Sequence, residues 1–130
     1  MSTSRDWSRW SFVVRHLAVA AGLGAFSAVY EHFSHGVYTH WMTGLAAGWL
    51  VGAVLPYLVW CLVPRLRWPG PTVRLLHVLG LATFAVGAAL KGVMVIYGTT
   101  ADLVWPYFAA GAALLLAALV THLAGARAPQ

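Results

Sequence analysis

Charge is what this chain has least of. Asp, Glu, Lys and Arg make up only 8% of its 130 residues, and only Asp6, Glu31 and Asp102 are acidic. Soluble domains carry about 25% charged residues. With 61% hydrophobic residues and a mean hydropathy of +0.76, a water-soluble fold of this length could not hide its apolar surface, so lipid is the expected solvent. Cysteine is nearly missing as well. Cys61 stands alone, which excludes an internal disulfide and a CxxC redox pair. In its apolar run it reads as a small core residue.

The few basic residues are placed with a pattern. Arg5, Arg9 and Arg15 precede or open the first apolar stretch, Arg65, Arg67 and Arg74 bracket the gap between the second and third, and Arg127 follows the fourth. Only Lys91 breaks the pattern. Basic residues flanking spans stay in the cytoplasm, so both termini and the central loop are expected there, in a multi-pass protein of the cell membrane. The +5 net charge therefore points to the anionic face of a lipid bilayer and not to nucleic acid.

Four spans follow, at about residues 12–31, 41–63, 75–97 and 103–123, each near the roughly 20 residues that cross ~30 Å of hydrocarbon. A basic start and the small residues Ala25 and Ser27 also give the first stretch some features of a signal peptide, but three further spans with balanced charge favour a retained helix. Pro64, Pro69, Gly70 and Pro71 punctuate the central loop, and Gly98 to Asp102 a short outer turn. Trp41, Tyr97 and Trp105 fall where an outer aromatic belt belongs, and Trp10, Trp60 and Trp68 near the inner one. Short outer connections make antiparallel neighbours. The expected fold is all-α: one polytopic domain over residues 1–130, an antiparallel up-down four-helix transmembrane bundle. Gly44, Gly48 and Gly52 form a small-residue ridge at four-residue spacing, as do Ala20 and Gly24, and Ala109, Ala113 and Ala117. Such ridges let helices approach closely in lipid, within the chain or across a homo-oligomer. Pro56 and Pro106 should kink or locally unwind their spans.

Polar residues inside apolar spans need a reason, because burying them is expensive. They fall into two layers. The outer layer holds Glu31, His32, His35 and His40 near the first outer turn, with Lys91 and Asp102. On a continuous helix Glu31 and His35 lie one turn apart on one face, with His32 about 60° round the helix. One transition-metal ion could in principle touch all three, and a Glu31–Lys91 ion pair is the plain alternative. The inner layer holds His16, His77 and His122, each a few residues inside the inner end of a different helix. Two neutral imidazoles at one depth are what a b-type haem in a helical bundle requires, and Gly80, one turn above His77, would give room. Against that, an imidazole near a membrane surface sits comfortably without a ligand.

The run Tyr30-Glu31-His32-Phe33-Ser34-His35-Gly36-Val37-Tyr38, followed by Met42, resembles a block in small four-span membrane proteins of Gram-positive bacteria. The likeness continues around His77, Gly80, Ala82, Thr83, Val86 and Gly87, and from Gly92 through Ile96-Tyr97-Gly98-Thr99-Thr100. It covers most of residues 28–102 and leaves out the basic N-terminal tail. The resemblance implies a class and a topology, and no established activity. It also draws Glu31, His35, His77 and the Tyr97–Thr100 turn into one pattern, with His16, His32, His40 and His122 outside it.

Three functions stay open at this level. The first is a non-enzymatic accessory or ligand-binding component of a larger membrane complex, using Glu31, His35, His32 and Lys91. The second is a haem b redox protein using His77 and a partner histidine. The third is a small transporter, with Glu31 and Lys91 as a proton- or cation-coupled pair. No nucleophile–base arrangement marks an enzyme: Ser34 lies beside His35 in sequence, but adjacent residues rarely form a productive pair.

Overall fold

Helices form where the apolar stretches lie. In the computed structural model, residues 3–34, 39–63, 65–99 and 102–127 are described, with side chains from residue 7 to residue 125 within those ranges. Helix α1 spans Thr3–His32. The second span is α2 (His40–Trp49), a π-helical turn (Leu50–Val54) and α3 (Leu55–Leu62) in unbroken succession. Helix α4 spans Pro71–Ile96, and a 3-10 turn (Asp102–Val104) leads into α5 (Trp105–Arg127). Four segments are long and apolar enough to cross a membrane: Trp7–His32, His40–Leu62, Pro71–Ile96 and Asp102–Gly125. The protein is an all-α helical bundle of the multi-pass membrane type. Its spans agree with those read from the sequence to within a few residues, except that α1 and α4 extend further at their first ends.

Local chemistry sets the boundaries. Thr39 caps α2, its hydroxyl accepting from the Trp41 amide at 3.3 Å, and Thr39 holds the extended φ of −138° usual at such a position. Pro71 opens α4, where its missing N–H costs nothing. The far end of α4 closes on Gly98 at φ +75°. There the Gly98 amide donates to the Val95 carbonyl and the Thr99 amide to the Met94 carbonyl, both at 3.0 Å. This is a Schellman closure that a side chain at position 98 would strain.

The two span prolines behave differently. Pro106 sits in the first turn of α5, directly after the 3-10 turn Asp102–Val104, where no amide donor is needed. Pro56 follows the π-helical turn. It cannot donate to the preceding turn, and the backbone widens to π geometry just before it.

Across the bundle the helices run in the order α1, α2/α3, α4, α5. Helix α1 packs on the second span, the second span on α4, and α4 on α5. Close contact between α4 and α5 depends on glycine. A Cβ on Gly111 would lie 2.5 Å from Phe84 Cδ2 and 3.0 Å from the Gly80 carbonyl, and one on Gly87 would lie 2.8 Å from Tyr107 Cβ. Gly92 meets Met42 of α2 in the same way, with Met42 Cε 3.2 Å from the position of a Cβ.

The ridges singled out in the sequence fare unevenly. Ala20 is buried with Trp49 and Ala53, and Gly24 faces Ala46. Gly52 meets Leu81. Gly44 and Gly48 meet nothing, and Ala109 and Ala113 are exposed. The expectation that Gly44–Gly48 packs within the chain is therefore corrected: that face opens onto a cleft.

The three basic clusters converge at one end. Arg9 stacks over Trp68 at 5.1 Å, and Arg67 donates to the Gly125 carbonyl. Those contacts bring the start of α1, the central loop and the end of α5 together.

Candidate functional site

Among the described residues α5 packs its backbone on α4 and meets the second span only through side chains, which leaves a cleft between the second span and α5, with α4 as its floor. Two chambers occupy it. The larger, about 500 Å³, lies away from the arginine-rich end, between Trp41, Gly44 and Gly48 on α2 and Phe84, Ala88 and Phe108 on α4 and α5. Its walls are almost wholly apolar. The smaller, about 190 Å³, lies toward the arginine-rich end, between Tyr57 and Trp60 of α3, Arg74 and His77 of α4, and His122 of α5. Leu115 lines both chambers. Aromatic contacts bridge the cleft near each end: Trp41 to Phe108 at 5.3 Å, and Trp60 edge-on to His122 at 5.6 Å.

Around the smaller chamber the polar groups are arranged by Tyr57, which is 1% exposed. His16 stacks on its ring at 4.9 Å and 11°, Phe12 at 5.6 Å, and His77 meets it edge-on at 5.8 Å. The Trp49 indole donates to His16 Nδ1 at 3.2 Å. His77 Nε2 lies 2.8 Å from the Gly52 carbonyl. A carbonyl can only accept, so Nε2 carries the proton and Nδ1 is left as an acceptor. That Nδ1 is buried without a hydrogen-bond partner, and so is Arg74 Nε. The Arg74 guanidinium rests on the Phe12 ring at 4.6 Å.

This geometry does not fit the haem expectation. His16 and His77 lie against different parts of the Tyr57 ring, which fills the space a macrocycle between them would need. His77 and His122 share a chamber, but 190 Å³ is well below the ~300–1,000 Å³ typical of pockets for drug-sized ligands. Nor do His16, His77 and His122 form a metal set: among the described residues no three His, Cys, Asp or Glu side chains gather closely enough to hold an ion.

The outer group is not assembled as expected. Glu31 is buried, 7% exposed, whereas its neighbour His32 is exposed and packs edge-on to Phe33 at 5.3 Å. His35 lies outside the described residues. Glu31 Oε1 has no hydrogen-bond partner, and no ion pair joins Glu31 to Lys91. The Lys91 ammonium instead lies 4.4 Å from the centroid of the Trp41 ring. The Glu31–Lys91 pair is therefore corrected: a cation–π contact takes the lysine, and the carboxylate stays unpaired at Oε1.

Comparison with protein-family models, curated proteins and solved structures finds no match.

Sequence reading missed Arg74, counted only as a topology marker, and Tyr57 and Trp60. A signal was present: Arg74 and His77 are three residues apart and share a helix face. The cleft itself had no sequence signal beyond Gly44 and Gly48, whose spacing serves packing and opening equally well.

Proposed function

We propose that this chain is a non-catalytic ligand-binding membrane protein, acting as an accessory component of a membrane complex, which takes the apolar chain of an amphiphile into the cleft beside α5. The observation that carries the reading is the open Gly44–Gly48 face above a chamber of about 500 Å³ walled by aromatic and aliphatic side chains. Small residues on a helix in lipid normally admit a neighbouring backbone. Here none of the described helices occupies the space.

Glu31 lines neither chamber, and Lys91 stands at the outer edge of the larger one, its ammonium over the ring of Trp41. In this reading Glu31 and Lys91 are structural. Basic residues gathered at the other end support cytoplasmic termini in a bacterial cell membrane, and the likeness to small Gram-positive membrane proteins is consistent with that placement.

A partner helix, from a homo-oligomer or a larger complex, is the competing occupant. Native mass spectrometry of the full chain, released from a neutral detergent, separates the two. A retained amphiphile at one per chain, lost in Gly48→Leu, is the expected outcome. A complex that Gly48→Leu dissociates, with no amphiphile in the wild type, would place a helix in the cleft.

A further inference from the structure

The larger, apolar chamber has a cation at its edge. Ala88 of α4 walls the chamber, and Lys91, three residues on, shares its helix face. The Lys91 ammonium lies 4.4 Å from the centroid of the Trp41 ring, and Trp41 walls the same chamber beside His40. Apart from that ring the charge is unmatched: among the described residues no carboxylate pairs with it and no hydrogen bond takes its N–H groups. Unlike Glu31 Oε1, the half-buried Lys91 does not have its polar atom closed off from the surface, so a group arriving from outside can reach it. No Asp or Glu walls the chamber. Among the Lys and Arg residues, Lys91 alone stands away from the arginine-rich end.

Resting on the amphiphile reading above, we propose that the ligand is an anionic phospholipid of the leaflet remote from the arginine-rich end, with its phosphate on Lys91 and one acyl chain in the apolar chamber. For uptake of the chain alone Lys91 is structural; its charge adds the choice of head group. An ammonium within a span is costly unless a counter-charge meets it. A phosphodiester stays ionised at physiological pH, and its oxygens accept from the ammonium and from a His40 ring N–H. A zwitterionic lipid carries its own cation beside the phosphate, so it offers Lys91 no net counter-charge.

The dimensions suit one chain of one leaflet. On α4 the chamber reaches from Ala88 to Leu81, so Lys91 stands about 15 Å from its deep end along a helix rising about 1.5 Å per residue. Half of a ~30 Å hydrocarbon core is the same depth. The chamber volume, about 500 Å³, lies within the ~300–1,000 Å³ of pockets that hold one small ligand. Gly44 and Gly48 on its wall are exposed, which leaves the second acyl chain in the bilayer.

The test uses the full chain in neutral detergent, offered equal amounts of phosphatidylglycerol, phosphatidylcholine and palmitic acid, with retention read by native mass spectrometry. Phosphatidylglycerol is expected at one per chain, about tenfold above phosphatidylcholine, the scale of one charge-assisted contact. Lys91→Met should erase that preference while phosphatidylcholine uptake persists, and Lys91→Arg, which keeps the charge, should retain it. Gly48→Leu should lower uptake of both phospholipids. Equal retention of the two by the wild type would overturn the head-group assignment and leave the cleft reading standing. A preference for phosphatidylglycerol that survives in Lys91→Met would overturn it too, by placing the anion at the arginine-rich end. Palmitic acid retained ahead of both phospholipids would overturn it in favour of a single-chain acid. Retention of none of the three would remove the cleft reading as well.

Discussion

His77 Nε2 on α4 donates to the carbonyl oxygen of Gly52, 2.8 Å away in the π-helical turn of the second span. Four residues past Gly52 stands Pro56, which has no amide proton to give. A carbonyl stranded in hydrocarbon is costly, and re-satisfying it from a neighbouring helix is how membrane helices tolerate proline. The histidine thus joins two spans at the point where one of them is irregular.

Removing that donor should be felt. His77→Ala leaves the Gly52 carbonyl without its partner and should cost about 1–3 kcal/mol, while His77→Gln, which keeps an N–H donor, should cost less. Thermal unfolding in detergent gives the order. Equal losses in the two variants would mean that ring packing against Tyr57, and not the bond, carries the effect.

A second buried bond allows a cleaner comparison. Trp49 Nε1 donates to His16 Nδ1, so Trp49→Phe should destabilise by about 1 kcal/mol by orphaning the imidazole nitrogen. Replacing both partners, with His16→Phe added, removes donor and acceptor together and should recover much of the loss. A double variant that loses the sum of the two single effects would show that the bond contributes little.

Much of the fold could be read from the sequence because lipid imposes simple rules. Segments apolar enough to span had to be helices, and arginine spacing marked which ends meet. Arg9 over Trp68 and Arg67 on Gly125 are the contacts that result. What could not be read was direction round each helix. Gly48 and Gly111 look alike in sequence, yet one faces an open cleft and the other touches Phe84 and the Gly80 carbonyl. Helix propensity and hydropathy are blind to that difference, because lipid and protein interior are equally apolar. The Glu31–Lys91 pairing failed for a related reason. Two opposite charges at similar depth invite a pair, but the lysine ammonium packs on the Trp41 ring instead, 4.4 Å from its centroid.

The glycines supply a direct contrast. Gly111→Leu should push α4 and α5 apart, with a cost of about 1–3 kcal/mol or more for overpacking. Gly48→Leu, whose Cβ meets nothing within 4 Å, should change stability by no more than about 0.5 kcal/mol. Denaturation of the two variants side by side in one detergent checks this. A collapse of the Gly48 variant equal to that of Gly111 would mean that the cleft is filled when the protein is in its working state.

Glu31 and Lys91 are the most exacting case. Glu31 is 7% exposed, with Oε1 unpartnered, so its charge costs the fold more than a neutral amide would. Glu31→Gln should therefore raise stability, by about 1 kcal/mol on the scale of an unsatisfied buried polar group. Lys91→Met removes a cation–π contact with Trp41, worth about 0.5–2 kcal/mol, but also removes a charge from the span, so the two effects oppose one another. The decisive quantity is the coupling between them. With no ion pair joining the two residues, the double variant should equal the sum of the single ones within about 0.3–0.5 kcal/mol. A true ion pair would behave otherwise: each single variant would strand its partner's charge, and the double variant would recover the loss. A coupling well beyond 0.5 kcal/mol in that sense would restore the pair that the packing of Lys91 on Trp41 replaces.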